Sequence, residues 1–104
     1  MAWVEALSLG ELGEYDMDKI TMNDGTRIAV IRMDDDVYAI DDTCSHAEAS
    51  LSEGELLGNK VKCPLHGAEF DVRTGEVKSF PAVVGVTKYE TKIEDNTIYV
   101  NYGE

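Results

Sequence analysis

Apolar and polar positions alternate along most of this chain, in short runs broken by Gly, Asp and Asn. A period of two sends successive side chains to opposite faces, the signature of a half-buried strand. Residues 3–7 predict a first strand and residues 18–22 a second. The latter leads into Asn23-Asp24-Gly25, where Asp-Gly suits a tight hairpin needing positive φ. Residues 27–33 form the return strand, with Ile28, Val30 and Arg32 expected on one face. Asp34-Asp35-Asp36 reads as an acidic turn, after which residues 37–41 pair back. The first 41 residues are therefore expected to form an antiparallel meander of three or four strands.

The texture changes over residues 42–82. Glycines crowd together (Gly54, Gly58, Gly67, Gly75) and the apolar runs shorten. Small strands are expected at 61–63, 69–72 and 76–79, a hairpin turn at Arg73-Thr74-Gly75, and a helical turn at 47–51. Alternation resumes over 83–93, and a last strand over 97–102 follows the turn at Glu94-Asp95-Asn96. The two ends, 1–41 and 83–104, read as one β unit with 42–82 inserted into it. There is no linker and no tandem repeat, so 1–104 is expected to be a single all-β domain.

Composition sharpens this picture. A chain of 104 residues suits one core, with a modest stability margin that a bound metal group could widen. Nine basic against 21 acidic residues leave a net charge of −12. That argues against nucleic acid and anionic membranes as partners, since neither gains by charge attraction. It suits a partner with a basic docking surface, or serves solubility alone. No apolar stretch is long enough to span a membrane. The start of the chain has neither a basic region nor an apolar run, so a cytoplasmic protein is expected.

The chemistry concentrates in two short segments. Both cysteines and both histidines lie in Cys44-Ser45-His46 and Cys63-Pro64-Leu65-His66, with residues 47–62 between them. Thiolate and imidazole are the natural ligands for soft and borderline metals. A structural zinc site also uses two Cys and two His. However, C-x-H is a very short first arm for one, and zinc gives no reason for Pro64 and Gly67. Thiol redox chemistry would want C-x-x-C, which is absent. Gly67 permits close backbone approach after His66, and Pro64 stiffens the second arm.

The arrangement C-x-H…C-P-x-H-G resembles the Rieske [2Fe–2S] family, in which two histidines replace two cysteines on one iron. The surroundings agree. Leu51-Ser52-Glu53-Gly54 follows the first arm. Phe70-Asp71, Thr74-Gly75 and Pro81-Ala82 follow the second. The resemblance implies a β-sandwich or barrel-like base domain carrying the inserted subdomain. It implies that Cys44 and Cys63 hold one iron, that His46 and His66 hold the other, and that the segment at Pro81 covers the cluster. High-potential members place Ser and Tyr where this chain has Ala68 and Phe70. Without those hydroxyls the potential is expected toward the negative end of about −150 to +300 mV.

The resemblance thus implies a soluble one-electron carrier, a monomer, and not an enzyme in itself. It would take electrons from a flavin-containing NAD(P)H reductase and pass them to the terminal oxygenase of an aromatic-ring dioxygenase system. Two ferric ions, two sulfides and two thiolates sum to zero, so the oxidised holoprotein keeps the chain's charge of −12. One electron barely alters docking, which suits a shuttle. The alternative is the small Rieske-fold subunit of an assimilatory nitrite reductase. An oxygenase is excluded, because no histidine is left for a mononuclear iron site.

Overall fold

The computed structural model describes residues 2–43, 49–65, 67–79 and 85–102. Eleven strands and two 3-10 turns are described, and there is no α-helix among the described residues. The strands make three antiparallel sheets. The first has the order β1 (Ala2–Ser8), β11 (Thr97–Tyr102), β10 (Thr91–Glu94). The second has β2 (Tyr15–Thr21), β3 (Arg27–Met33), β4 (Asp36–Asp41), β9 (Lys88–Tyr89). The third has β5 (Glu55–Leu57), β6 (Lys60–Lys62), β7 (Glu69–Asp71), β8 (Val77–Ser79). The first two sheets use strands from both ends of the chain, and the third is drawn wholly from its middle.

The expected meander is present, with β2 running from Tyr15 to Thr21, three residues earlier at its start than the alternation suggested. At the β2–β3 turn only Gly25 takes positive φ, at +91°. Asp24 instead accepts a bond from the Thr26 backbone N–H (3.0 Å), so the turn is wider than a two-residue Asp-Gly hairpin. Asp34 turns the next hairpin with φ +57°. The alternation over 83–93 is interrupted at Glu90, which separates β9 from β10.

The middle sheet explains how the molecule is layered. Expecting one buried face on β3 understates it: Ile28, Ala29, Val30 and Ile31 are all fully buried. Ile28 and Val30 join Val37, Ala39, Ile98 and Val100 between the first two sheets. Ala29 and Ile31 point the other way and meet Leu51, Val61, Cys63 and Phe70 of the inserted region. A strand buried on both faces reads as a continuous apolar run. Arg32 shares the face of Ile28 and Val30, but its guanidinium leaves the core to donate to the carbonyls of Leu9, Leu12 and Asp34.

Candidate metal centre

The second ligand arm grows out of β6. Val61 is fully buried, and Cys63, which follows the strand, is 2% exposed within the apolar cluster. Its backbone N–H donates to the Ala68 carbonyl (2.7 Å), and its own carbonyl accepts from Gly67 N–H (3.1 Å). These two bonds hold Gly67 and Ala68 against Cys63, and Gly67 adopts φ +79° there. Pro64 and Leu65 form the exposed tip, and Leu65 is 56% exposed. Cys63 is a free cysteine, sheltered from water at the root of this arm.

The first arm leaves β4 and returns at residue 50. Thr43 and Ser50 pair as an antiparallel bridge, so the arm begins and ends at one point. Leu51 N–H donates to the Asp42 carbonyl (2.6 Å), and a 3-10 turn over Leu51–Glu53 follows. Cys44, His46 and His66 lie outside the described residues, as do residues 47–48 of the expected helical turn and the Pro81 segment. The roots of all three segments are described. The chain after the third returns at Gly85 and Val86, where Val86 N–H donates to the Gly75 carbonyl (2.8 Å).

The two arms come together. Ala49 and Ser50 of the first and Pro64 and Leu65 of the second line one cavity of about 280 Å³, with Lys19, Arg27 and Glu53. Leu51 and Cys63 share the same buried cluster beneath it. The donor set that the arms carry, two thiols and two imidazoles, suits a mixed-ligand iron–sulfur cluster, and the buried Cys63 thiol suits its enclosed side. The fit is therefore one of donor chemistry, with the described flanks of the two arms lining the same cavity.

The supporting roles of several residues escaped the sequence. Gly54 packs so closely against β6 that a Cβ there would sit 1.9 Å from the Lys62 carbonyl oxygen. Asp42, which precedes the first arm in the chain, is fully buried and bonded to Ser50 and Ser52. Asp71, also buried, is held by Arg73 through N, Nε and Nη2 (2.8, 3.3 and 3.1 Å). The Arg73 side chain holds the Asp71 carboxyl below the usual carboxylate range, against the opposing pull of burial. Tyr89 donates to Asp41 (2.7 Å), and burial first, then that bond, raises its phenol above the usual value.

Comparison with known proteins adds a second line of argument. The family model for the Rieske [2Fe-2S] domain matches residues 2–90. The ferredoxin component of the naphthalene 1,2-dioxygenase system of Pseudomonas putida is 33% identical over 99 residues, covering 95% of this chain and 94% of that protein. A chain in the complex of reduced oxygenase and oxidised ferredoxin of carbazole 1,9a-dioxygenase superposes with a TM-score of 0.90 at 34% identity, covering 94% of this chain and 91% of that one. A Mycobacterium tuberculosis protein described as an NADH-dependent nitrite reductase small subunit shares the fold alone. It has a TM-score of 0.81 and 24% identity over 95% of this chain and 93% of that one.

Proposed function

The chain belongs to the Rieske [2Fe–2S] family, and from that premise we propose that it is the ferredoxin component of a ring-hydroxylating dioxygenase system. One observation carries the reading. Two turns that root a Cys-x-His and a Cys-x-x-His arm are closed independently and meet over one cavity. When bound, the cluster supplies a one-electron change at low potential. The chain's own work is to hold and shelter it. Cys44 and Cys63 are the proposed thiolate ligands of one iron, and His46 and His66 the imidazole ligands of the other. Ala68 and Phe70, both fully buried, line the core beside Cys63 and bring no side-chain hydrogen-bond donor. Residues 42–82 are the proposed cluster-binding subdomain, inserted in a base domain of 1–41 and 83–104.

The proposed partners are a flavin-containing NAD(P)H reductase and a terminal oxygenase, with the chain shuttling as a cytoplasmic monomer. Among the described residues no helix is long and apolar enough to cross a membrane. The charge of −12 favours basic docking surfaces on both partners. The nitrite reductase small-subunit reading rests on fold likeness, whereas the ferredoxin reading also rests on sequence identity.

Stopped-flow transfer separates the two. The reduced holoprotein should deliver one electron to a ring-hydroxylating oxygenase and be reduced again by the flavoprotein. The second-order rate should fall as salt rises, since the Debye length is only about 10 Å at 0.1 M. Failure to reduce the oxygenase, with stable co-purification on a nitrite reductase large subunit, would favour the fixed-subunit reading. A rate indifferent to salt would assign the charge to solubility alone.

A further inference from the structure

Asp42 stands two residues before Cys44, which puts its Cα within about 7.6 Å of the cysteine Cα by chain geometry alone. It is fully buried. Taking a carboxyl group out of water is costly unless hydrogen bonds replace the lost solvation. Among the described residues none forms an ion pair with Asp42, so hydrogen bonds do that work. The Ser50 hydroxyl donates to Asp42 Oδ2, and the Ser52 backbone N–H donates to Oδ1 at 2.8 Å. Ser50 Oγ and Ser52 Oγ lie 3.0 Å apart, which adds a link between the two donors.

The two bonds to the Asp42 carboxyl cross the mouth of the first arm. They join the residue before it (42) to the residues after it (50 and 52). The backbone repeats the crossing through Leu51 N–H to the Asp42 carbonyl and through the Thr43–Ser50 bridge. From the opposite side, Arg27 Nη2 donates to Thr43 Oγ1 (3.1 Å), while the Arg27 carbonyl accepts from Asp42 N–H (3.0 Å). Hairpin closure by itself needs only the backbone bonds. A buried carboxyl with both oxygens engaged is more than closure requires, and it fixes how far apart the two ends of the arm stand. An arm whose mouth is rigid has less freedom to lose when its two ligands engage metal.

We propose that Asp42 is the positioning residue of the first ligand arm, forming with Ser50 and Ser52 a buried clamp that sets the geometry in which Cys44 and His46 are presented. This rests on the cluster reading given above. It predicts a graded series in the holoprotein. Asp42→Ala removes both acceptors. Ser50→Ala removes one donor and leaves Oδ2 unpaired. Asp42→Asn keeps an acceptor for Ser52 N–H and an amide that can donate to Ser50 Oγ. Ser52→Ala leaves the N–H bond in place.

The experiment measures the reduced-state EPR line width and the rate of iron release to a chelator, beside the far-UV melting curve. Iron release should speed at least tenfold in Asp42→Ala and by less in Ser50→Ala, with EPR lines broadened in the same order. Asp42→Asn should restore most of the wild-type behaviour, and Ser52→Ala, which loses only its hydroxyl link to Ser50, should change least. If Asp42→Ala folds poorly, Ser50→Ala carries the test. Lower melting with unchanged EPR lines and unchanged iron release in Ser50→Ala would make the network ordinary core structure and overturn the clamp. A wild-type chain that takes up no [2Fe–2S] cluster would instead overturn the cluster reading on which the clamp rests.

Discussion

Replacing Gly54 by alanine should break the support beneath Cys63. Gly54 ends the 3-10 turn over Leu51–Glu53 with φ −87°, a value open to any residue, so space and not φ is at issue. An added Cβ would lie 1.9 Å from the Lys62 carbonyl oxygen, 3.1 Å from the Lys62 carbonyl carbon and 3.2 Å from the Leu51 carbonyl oxygen. All three are backbone atoms, so no side chain can swing aside. A carbon–oxygen contact needs roughly 3.3 Å or more, so β6 must retreat by more than an ångström, taking Cys63 with it. Overpacking of this kind costs about 3 kcal/mol, the upper part of its usual range. In a domain of this size that lowers the melting temperature by about 12 °C or more. Two controls isolate the cause. Gly58 has open space around it but φ +64°, so Gly58→Ala should cost only about 1–2 kcal/mol, the left-handed penalty. Gly10 has neither constraint, so Gly10→Ala should lie within about 0.5 kcal/mol of wild type. Thermal unfolding of the three variants, followed by far-UV circular dichroism and by visible absorbance, gives the ranking. A Gly54→Ala protein that melts with wild type and keeps the visible spectrum would refute the packing argument.

Further outcomes follow from the same core. Asp71 titrates lower when folded than when unfolded, so its bond to Arg73 stabilises the fold above the ordinary aspartate value of 3.8 and is lost as pH falls through the folded value. Asp71→Asn should therefore flatten the acid limb of stability against pH, and an unchanged slope would contradict the assignment. Tyr89 behaves oppositely: its raised phenol value gives stability that is complete below pH 10 and lost as pH climbs toward the folded value, so Tyr89→Phe should weaken the alkaline fall-off seen in urea titrations. Ala68→Ser and Phe70→Tyr should each raise the reduction potential by tens of millivolts in film voltammetry, the double variant most, since a hydroxyl bonded to sulfur favours the electron-rich state. A new hydroxyl in this fully buried core that failed to reach sulfur would cost about 1–3 kcal/mol and leave the potential unmoved.

How much of this was legible beforehand differs by feature. β3 and β11 begin and end where alternation and turn residues placed them, because both lie between clear Asp, Asn and Gly signals. The proposed ligand set stood out because Cys and His are so scarce here that their joint spacing points to one shared site. The layering did not stand out. The run Ile28-Ala29-Val30-Ile31 reads equally as a half-buried strand with apolar extras, and only the third sheet shows why both faces are dry. Asp42 was hidden as the second of two aspartates, one of which, Asp41, is a partner of Tyr89 while the other closes a loop. Gly54 was visible as a residue, but its close approach to Lys62 arises from tertiary packing that no local pattern encodes.

The central claim is that the two arms hold one mixed-ligand [2Fe–2S] cluster. Metal and acid-labile sulfide analysis of the purified chain, joined to EPR of the reduced form, tests it most directly. The expected result is a coloured protein with two irons and two sulfides per chain and a mean g value below that of all-cysteine [2Fe–2S] proteins. A colourless protein holding stoichiometric zinc, or a coloured one with the g values of an all-cysteine cluster, would contradict it.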